Sequence, residues 1–127
     1  MRAYDYCVEN GLHILVLEYI EGETLEHIRS SRQATETEVI EWSLQILDAL
    51  HSLKAKNIIY RDLKPENILI DAEGNCKIVD FGLSKKIDAR SKTFSYCGSA
   101  ENMAPEMVLR TGHSFGIDYY SLGALLY

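Results

Sequence analysis

The feature that most constrains the fold is a long amphipathic helix predicted over residues 36–54. Thr35 is followed three residues later by Glu38, which is the spacing of a capping box at a helix start. Apolar side chains then recur at helical spacing and predict one buried face. They are Val39, Trp42, Ile46, Leu50 and Leu53, with Ile40, Leu44 and Leu47 beside them. We therefore expect this helix to pack against the rest of the chain.

Shorter elements are predicted on both sides of this helix. Apolar runs bounded by turn residues indicate strands at residues 3–7, 12–19, 58–60, 68–70 and 76–79, with short helices at residues 24–30 and 118–127. The turn at residues 71–74 predicts a tight hairpin between the last two strands. Residues 82–99 show little periodicity, which is typical of a mobile surface loop. The predicted fold class is α+β.

Length and composition limit the kinds of protein that this chain can be. Its 127 residues, 46% of them hydrophobic, allow one domain or part of one. The net charge of -6 argues against nucleic acid as a partner. Cys7, Cys76 and Cys97 include no CxxC pair and are expected to be free thiols. Without a signal-peptide pattern, we expect a cytoplasmic protein without membrane partners, the nucleus remaining open.

The candidate catalytic side chains lie at residues 60–67, which have the sequence Tyr-Arg-Asp-Leu-Lys-Pro-Glu-Asn. Asp62, Lys64 and Asn67 place a carboxylate, an ammonium and a carboxamide on one short loop. Phosphoryl transfer needs a carboxylate that accepts a hydroxyl proton, a cation near the phosphate, and oxygen ligands for magnesium. A further carboxylate, Asp80, follows in the sequence Asp-Phe-Gly after the predicted hairpin. Each motif alone is weak, because Asp62 or Asp80 can serve in an ordinary turn, but their joint order is specific.

Three motifs in order make this chain resemble the protein kinase family. They are the loop at residues 60–67, Asp-Phe-Gly at residues 80–82, and Ala-Pro-Glu at residues 104–106. The sequence of the loop at residues 60–67, with Tyr60 where many kinases have His, resembles that of the cyclic-nucleotide-dependent and ribosomal S6 kinase (AGC) branch. The resemblance extends along the whole chain. It implies a kinase-like fold with the end of the small lobe and the hinge at residues 1–20, and the large lobe at residues 21–127.

The resemblance also implies catalytic and metal-binding roles for single residues. Asp62 is the expected catalytic base, and Lys64 is the cation near the transferred phosphate. Asn67 and Asp80 are the expected ligands of Mg²⁺. Lys64 is typical of serine/threonine kinases, and Ser99 matches the hydroxyl that pairs with such a lysine and positions the substrate. The implied function is transfer of the ATP γ-phosphate to Ser/Thr hydroxyls of protein substrates.

A second set of residues is implied for ATP binding. Leu69 would form the floor of the adenine pocket, and Leu17 would lie at its back. The backbone of Glu18 and Ile20 would bond the base. Asn67 and Asp80 would then approach the phosphates through magnesium. The expected cofactors are ATP and Mg²⁺.

Regulation by phosphorylation is implied by Arg61, beside the expected base. A phosphate on the mobile loop can pair with its guanidinium, and this points to an upstream activating kinase as a partner. Ser95 is the first candidate acceptor, with Thr93 close behind, and the alternative for Ser95 is an ordinary loop serine. The other loop cations are expected to form only a solvated surface. They are Lys85, Lys86 and Arg90.

The sequence departs from the family pattern before the hinge. No GxGxxG occurs, and the strand lysine and its partner glutamate are missing from the residues before Leu12. We therefore expect a catalytic domain that is incomplete at both ends. The alternative function is a catalytically inactive kinase remnant that acts as a protein-binding module. A metal-dependent phosphatase or nuclease is disfavoured because the motifs follow the order of a kinase.

Overall fold

The computed structural model describes residues 2–88, 90–98 and 100–127, which form a mixed arrangement of strands and helices. The strands are β1 Ala3–Glu9, β2 Leu12–Leu17, β3 Gly22–Thr24, β4 Ile58–Ile59, β5 Ile68–Asp71, β6 Cys76–Ile78 and β7 Lys85–Lys86. The helices are α1 Leu25–Ser31, α2 Glu36–Ala55, α3 Pro105–Val108 and α4 Gly116–Leu126. Two 3₁₀ turns lie at Pro65–Asn67 and Ala100–Asn102.

Helix α2 confirms the predicted helix and its capping box. The Glu38 amide donates to Thr35 Oγ1 at 3.3 Å, and the Thr35 amide donates to Glu38 Oε2 at 2.8 Å. The buried face is narrower than predicted. Trp42, Ile46 and Leu50 are buried, whereas the flanking positions are exposed. The exposed ones are Ile40, Leu44 and Leu47, which lie outside the stripe that faces the core.

Strands β1 and β2 form the predicted hairpin, and β2 ends at Leu17. Asn10 and Gly11 have φ of 50° and 77°, the left-handed pair that a tight hairpin turn requires. Every residue of both strands is exposed.

Strand β3 was not predicted, and it links this hairpin to the centre of the molecule. β3 pairs with β5, which pairs with β6 in a three-stranded antiparallel sheet. Gly22 lies so close to β5 that a Cβ would be 2.2 Å from the Ile70 carbonyl oxygen, so a larger residue would push the strands apart. Thr24 ends β3 and caps α1, accepting a bond of 3.1 Å from the His27 amide.

Part of the segment predicted as an irregular surface loop is ordered by pairing. β7 pairs antiparallel with β4, so that Lys85 lies opposite Ile59. Thr93 forms an isolated bridge with His113. These partners lie far away in sequence, and local periodicity gives no signal for them. The prediction of an unstructured loop over residues 82–99 was therefore wrong for these positions.

The core consists of two groups of buried side chains. The first packs α2 against α1, β5, β6 and α4, with Trp42, Ile46 and Ile68 among its members. The second lies between β4, α3 and α4 around Ile59 and Ile117. No helix in the described ranges has both the length and the apolar character needed to cross a membrane.

Helix α4 is fixed to the end of β4 through a buried carboxylate. Asp118 is 4% exposed, and its two oxygens accept bonds from the Tyr60 amide at 2.9 Å and the Arg61 amide at 2.8 Å. Burial raises the pKa of Asp118, while the two amide bonds and the charge of Arg61 act in the opposite direction. This contact fixes where the chain after β4 turns away from the sheet.

Asp118→Ala should lower the free energy of unfolding by about 3 kcal/mol, because two buried amides lose a charged acceptor. Thermal and denaturant unfolding of the purified protein measure this change. Asp48→Ala, at an exposed position of α2, is the matched control and should change stability by less than about 0.5 kcal/mol. Equal losses in the two variants would contradict the anchoring role.

Candidate catalytic site

The loop at residues 60–67 connects β4 to β5 and is held by side chains on both sides of Asp62. Tyr60 and Leu63 are 0% and 1% exposed and belong to the first core group. The Tyr60 hydroxyl donates to the Val79 carbonyl oxygen, which joins the loop to the end of β6. Because the neighbours of Asp62 are packed in the core, its backbone has little freedom to move.

Asp62, Lys64 and Asn67 form one polar group on this loop, as the sequence predicted. Asn67 Nδ2 donates to the Asp62 carbonyl oxygen at 2.9 Å and to Asp62 Oδ2 at 2.8 Å. Lys64 Nζ lies 3.2 Å from the same Oδ2. Asp62 and Asn67 are buried, so water competes weakly for these bonds. The result is an oriented carboxylate with a cation beside it, an arrangement suited to proton transfer.

Asp80 follows β6, which returns the chain to the first loop. The Val79 amide donates to the Asn67 carbonyl oxygen at 3.0 Å, so the residue before Asp80 is bonded to the predicted metal ligand. Asp80 has φ of 56°, and its Oδ1 accepts the Gly82 amide at 3.0 Å. The carboxylate is otherwise exposed. The hairpin thus folds back on the loop at residues 60–67, hereafter the catalytic loop after its predicted role.

The negative charges of Asp62 and Asp80 both act on the Tyr60 hydroxyl. Its pKa is raised, first by burial and then by the negative charges of Asp62 and Asp80. The Tyr60 ring also makes an edge contact with Phe81, with ring centroids 5.3 Å apart. Tyr60, the first residue of this loop, therefore packs directly against the Asp-Phe-Gly segment.

The residues predicted to bind adenine lie on connected elements. Leu17 ends β2, and Glu18 and Ile20 lie on the link to β3, whose Thr24 pairs with Leu69 of β5. Leu69 is half-buried, whereas its neighbours in β5 are buried, so it lies on the opposite face of the strand from the core. The Glu18 amide donates to the Arg2 carbonyl oxygen at 2.8 Å.

The predicted regulatory residues lie close to the catalytic loop. Arg61 Nε donates to the Leu83 carbonyl oxygen at 2.6 Å. Lys85 Nζ lies 2.9 Å from Thr93 Oγ1 and 3.4 Å from Ser95 Oγ. Lys85 is exposed, as the sequence predicted, but it also contacts these two hydroxyls, which the sequence did not predict. Thr93 is 4% exposed and Ser95 is exposed, so the two candidate acceptors differ in accessibility.

The segment from residue 93 to residue 96 meets the loop before α4 in three residue pairs, the first joined by an antiparallel backbone bridge and the other two by side-chain proximity. The pairs are Thr93 with His113, Phe94 with Gly112, and Tyr96 with Arg110. The first pair exchanges two backbone bonds of 2.9 Å. In the second, a Cβ on the glycine would lie 2.8 Å from the ring. In the third, the guanidinium carbon lies 5.3 Å from the ring centroid.

Gly98 brings this segment against the catalytic loop. Its φ is 100°, and a Cβ built on it would lie 2.7 Å from the Arg61 carbonyl oxygen and 4.0 Å from Asp62 Oδ1. Ser99, predicted to position the substrate, lies outside the described residues. Among those that are described, no group of three His, Cys, Asp or Glu side chains can hold a metal ion.

Sequence reasoning missed the functional environment of Lys85, His113 and Gly98. Lys85 and His113 reach the candidate acceptors Thr93 and Ser95 only through pairing with distant segments, and neither carries a motif of its own. For Gly98, the neighbouring turn-like composition was the available signal, but the close approach to Arg61 depends on the tertiary fold.

Gly98→Ala should displace residues 61 and 62, because the new methyl group collides with backbone and the φ is unfavourable. Gly74→Ala is a matched control: its φ is 85° but a Cβ there meets nothing within 4 Å. NMR amide shifts of Arg61 and Asp62 should change in the first variant and stay fixed in the second. If these amide shifts were unchanged in both variants, Gly98 would not lie in tight contact with the backbone of Arg61.

Comparison with known proteins agrees with the site. The sequence model of the protein kinase domain matches residues 1–127. The chain is 47% identical over 130 residues to ribosomal protein S6 kinase 2 beta of Xenopus laevis, covering 98% of this chain and 20% of the relative. It is 53% identical over 83 residues to cGMP-dependent protein kinase 2 of Homo sapiens, covering 65% of this chain and 10% of the relative.

A third relative, protein kinase 2 of Dictyostelium discoideum, is 45% identical over 114 residues, covering 89% of this chain and 24% of the relative. The chain thus spans about a quarter or less of the length of these relatives. The resemblance to the ribosomal S6 and cyclic-nucleotide-dependent kinases is confirmed. Because the family match extends over all 127 residues, the chain belongs to the protein kinase family.

Proposed function

We propose that this chain carries the catalytic centre of a protein serine/threonine kinase, which transfers the γ-phosphoryl group of ATP to Ser/Thr hydroxyls of protein substrates. The observation that carries the proposal is the bonded group of Asp62, Lys64 and Asn67, with Asp80 on the adjoining segment. A phosphoryl-transfer site requires these polar groups together, whereas a purely structural loop does not.

Asp62 would orient the substrate hydroxyl and accept its proton. As that O–H bond breaks, the oxygen bonds the γ-phosphorus, and the bond from this phosphorus to the β-phosphate oxygen breaks, so ADP leaves with the electron pair. Lys64 Nζ, 3.2 Å from Asp62 Oδ2, lies near enough to stabilise the charge on the transferred group. The lysine also supports the choice of Ser/Thr acceptors.

Asn67 and Asp80 fit the requirements of Mg²⁺, because they offer a carboxamide and a carboxylate oxygen. Asn67 Nδ2 is bonded to Asp62, which leaves its carboxamide oxygen as the atom for the metal. The Asp80 carboxylate is exposed beyond the Gly82 amide that it accepts. Bound Mg²⁺ would neutralise charge on the ATP phosphates.

For adenine we propose Leu69 as the floor, Leu17 at the back, and the backbone of Glu18 and Ile20 as the bonding edge. The outward face of Leu69 supports this assignment. Ser99 remains the proposed partner of Lys64 in substrate positioning. We also propose that residues 1–20 correspond to the end of the small lobe and the hinge, and residues 21–127 to the large lobe.

Regulation would act through a phosphate on Ser95. An upstream kinase can reach this exposed hydroxyl, whereas Thr93 is buried in its bridge. The cations proposed to bind this phosphate are Lys85, 3.4 Å from Ser95 Oγ, and Arg61 of the loop at residues 60–67. Such pairs are charge-assisted and would hold the segment against the catalytic loop.

Asp62→Asn should lower kcat by about 10²- to 10⁴-fold, because the amide cannot accept the hydroxyl proton. The assay is magnesium-dependent phosphate transfer from ATP to a mixed serine and threonine peptide pool, with Asp80→Ala as a second inactive variant. Asp88→Asn, an exposed acid on the later segment, is the control and should keep full activity.

Undiminished transfer by the Asp62→Asn protein would contradict this role. If the unaltered, folded protein neither binds ATP nor transfers phosphate, the alternative of a protein-binding module derived from a kinase is favoured instead.

Phosphoserine at position 95 should raise kcat by about tenfold or more, the effect of one charge-assisted pair that orders the segment. Ser95→Ala should remain at the low level, and Arg61→Ala should remove the gain from phosphorylation. Ser91→Ala, an exposed serine in the same segment, is the control. If phosphorylation of Ser95 activated the Arg61→Ala protein equally, the phosphate would not act through this guanidinium.

A further inference from the structure

His113 belongs to a buried polar cluster that the proposed phosphoryl transfer does not use. It is 3% exposed and forms the bridge with Thr93, which is 4% exposed. Each residue's amide donates to the other's carbonyl oxygen at 2.9 Å. Directly opposed residues of an antiparallel pair project their side chains to the same face. The His113 ring and the Thr93 hydroxyl therefore share one side of this bridge.

The same side of the bridge contains a cation. Lys85 Nζ donates to Thr93 Oγ1 at 2.9 Å and to Ser95 Oγ at 3.4 Å, and the two hydroxyl oxygens are 3.3 Å apart. Thr93 thus connects the His113 backbone with the ammonium group and with Ser95. The cluster joins β7, the segment after it and the loop before α4.

Two nitrogens of this region are buried without a hydrogen-bond partner in the part of the chain that the structure describes. They are Nη1 of Arg61 and Nε2 of His113. Buried polar atoms in native proteins nearly always have a partner, so these two nitrogens indicate an acceptor that binds here. A group with several oxygens can satisfy donors from different elements at once.

The charges around the His113 ring indicate which charge this acceptor carries. Arg61 after β4 and Lys85 on β7 act on His113 as cations, and Glu106 on α3 acts as the opposing anion. Burial, followed by the Arg61 charge, lowers the pKa of His113, and Glu106 compensates only in part. A neutral ring surrounded by excess positive charge favours an anionic ligand.

We propose that His113 is a third ligand, with Arg61 and Lys85, of a phosphate group on Ser95, and that it binds this phosphate as the protonated imidazolium. The inference rests on the proposed function only in its choice of Ser95 as acceptor. Ser95 is the hydroxyl that a modifying enzyme can reach, and it already contacts the ammonium group and Thr93.

Proton uptake follows from this arrangement. Without the phosphate the ring stays neutral near pH 7, whereas a phosphate dianion opposes the positive field and raises the pKa of His113. The protein with the phosphate docked therefore binds one more proton, on His113, than the protein with the phosphate undocked. Docking strengthens as the pH falls through the raised pKa of His113. Below about pH 6 the phosphate itself takes up a proton, and the gain ends.

The test is an NMR titration of the histidine rings in the full chain, prepared with serine or with phosphoserine incorporated at position 95 during synthesis. In the serine form, the pKa of His113 should lie below about 6.5. In the phosphoserine form it should rise by about one unit or more. His27 and His51 are exposed and serve as internal controls whose pKa values should stay nearly constant. An unchanged pKa of His113 would overturn the proposal.

A second measurement follows removal of the phosphate by a phosphatase. His113→Phe should make dephosphorylation about tenfold faster at pH 6.5, because one charge-assisted bond is lost. His113→Gln keeps a donor but cannot titrate, so the part of the pH dependence that His113 contributes between about 6 and 8 should be absent from its protection. Equal rates in the unaltered and His113→Phe proteins would overturn the proposal.

Neither measurement requires phosphate transfer. If the protein is not a kinase, a raised pKa of His113 in the phosphoserine form still supports this site. If it is a kinase and the pKa does not move, only the role of His113 fails. Thermal unfolding of the unphosphorylated His113→Phe protein checks the fold, and equal or higher stability is expected because a buried nitrogen without a partner is removed.

Discussion

The structure around the catalytic loop depends on the buried carboxylate of Asp118. A charge removed from water is costly unless polar groups surround it, and here the amides of Tyr60 and Arg61 fill that role. These two amides lie where the chain leaves β4, just before Asp62. The carboxylate therefore fixes the backbone that carries the proposed base, while Tyr60 and Leu63 fix it through packing. Hydrogen bonds and apolar packing thus both hold the backbone at Asp62, and a base in the proposed role needs a fixed position.

Much of the secondary structure could be predicted because its signals are local. The capping box and apolar spacing located α2, and alternating apolar residues with turns located β5 and β6. The width of the buried face could not be predicted in this way, because Leu44 is apolar and yet 58% exposed. β3 and β7 have two or three residues each, and they exist only through pairing with β5 and β4. Elements defined by a distant partner leave little trace in their own sequence.

The candidate site was predictable to the extent that its residues share one loop. Asp62, Lys64 and Asn67 are close in sequence, so a short loop must bring them together, and their hydrogen bonds confirm this grouping. The surroundings of the candidate regulatory residues were less predictable. Its cation Lys85 and the histidine beside Thr93 come from separate segments. Solvation was the ordinary expectation for a loop lysine, and only the tertiary fold places it against two hydroxyls.

The antiparallel pairing between residues 93–96 and the loop before α4 limits how the chain length can vary. The backbone bridge between Thr93 and His113 and the ring contact between Tyr96 and Arg110 share one alignment, because three steps forward on the first segment meet three steps back on the second. Surface loops usually tolerate inserted or deleted residues. One residue added between Thr93 and Tyr96 would move the aromatic ring of Tyr96 away from Arg110 while the bridge stayed in place. This loop thus has the length constraint of a strand although it lies at the surface.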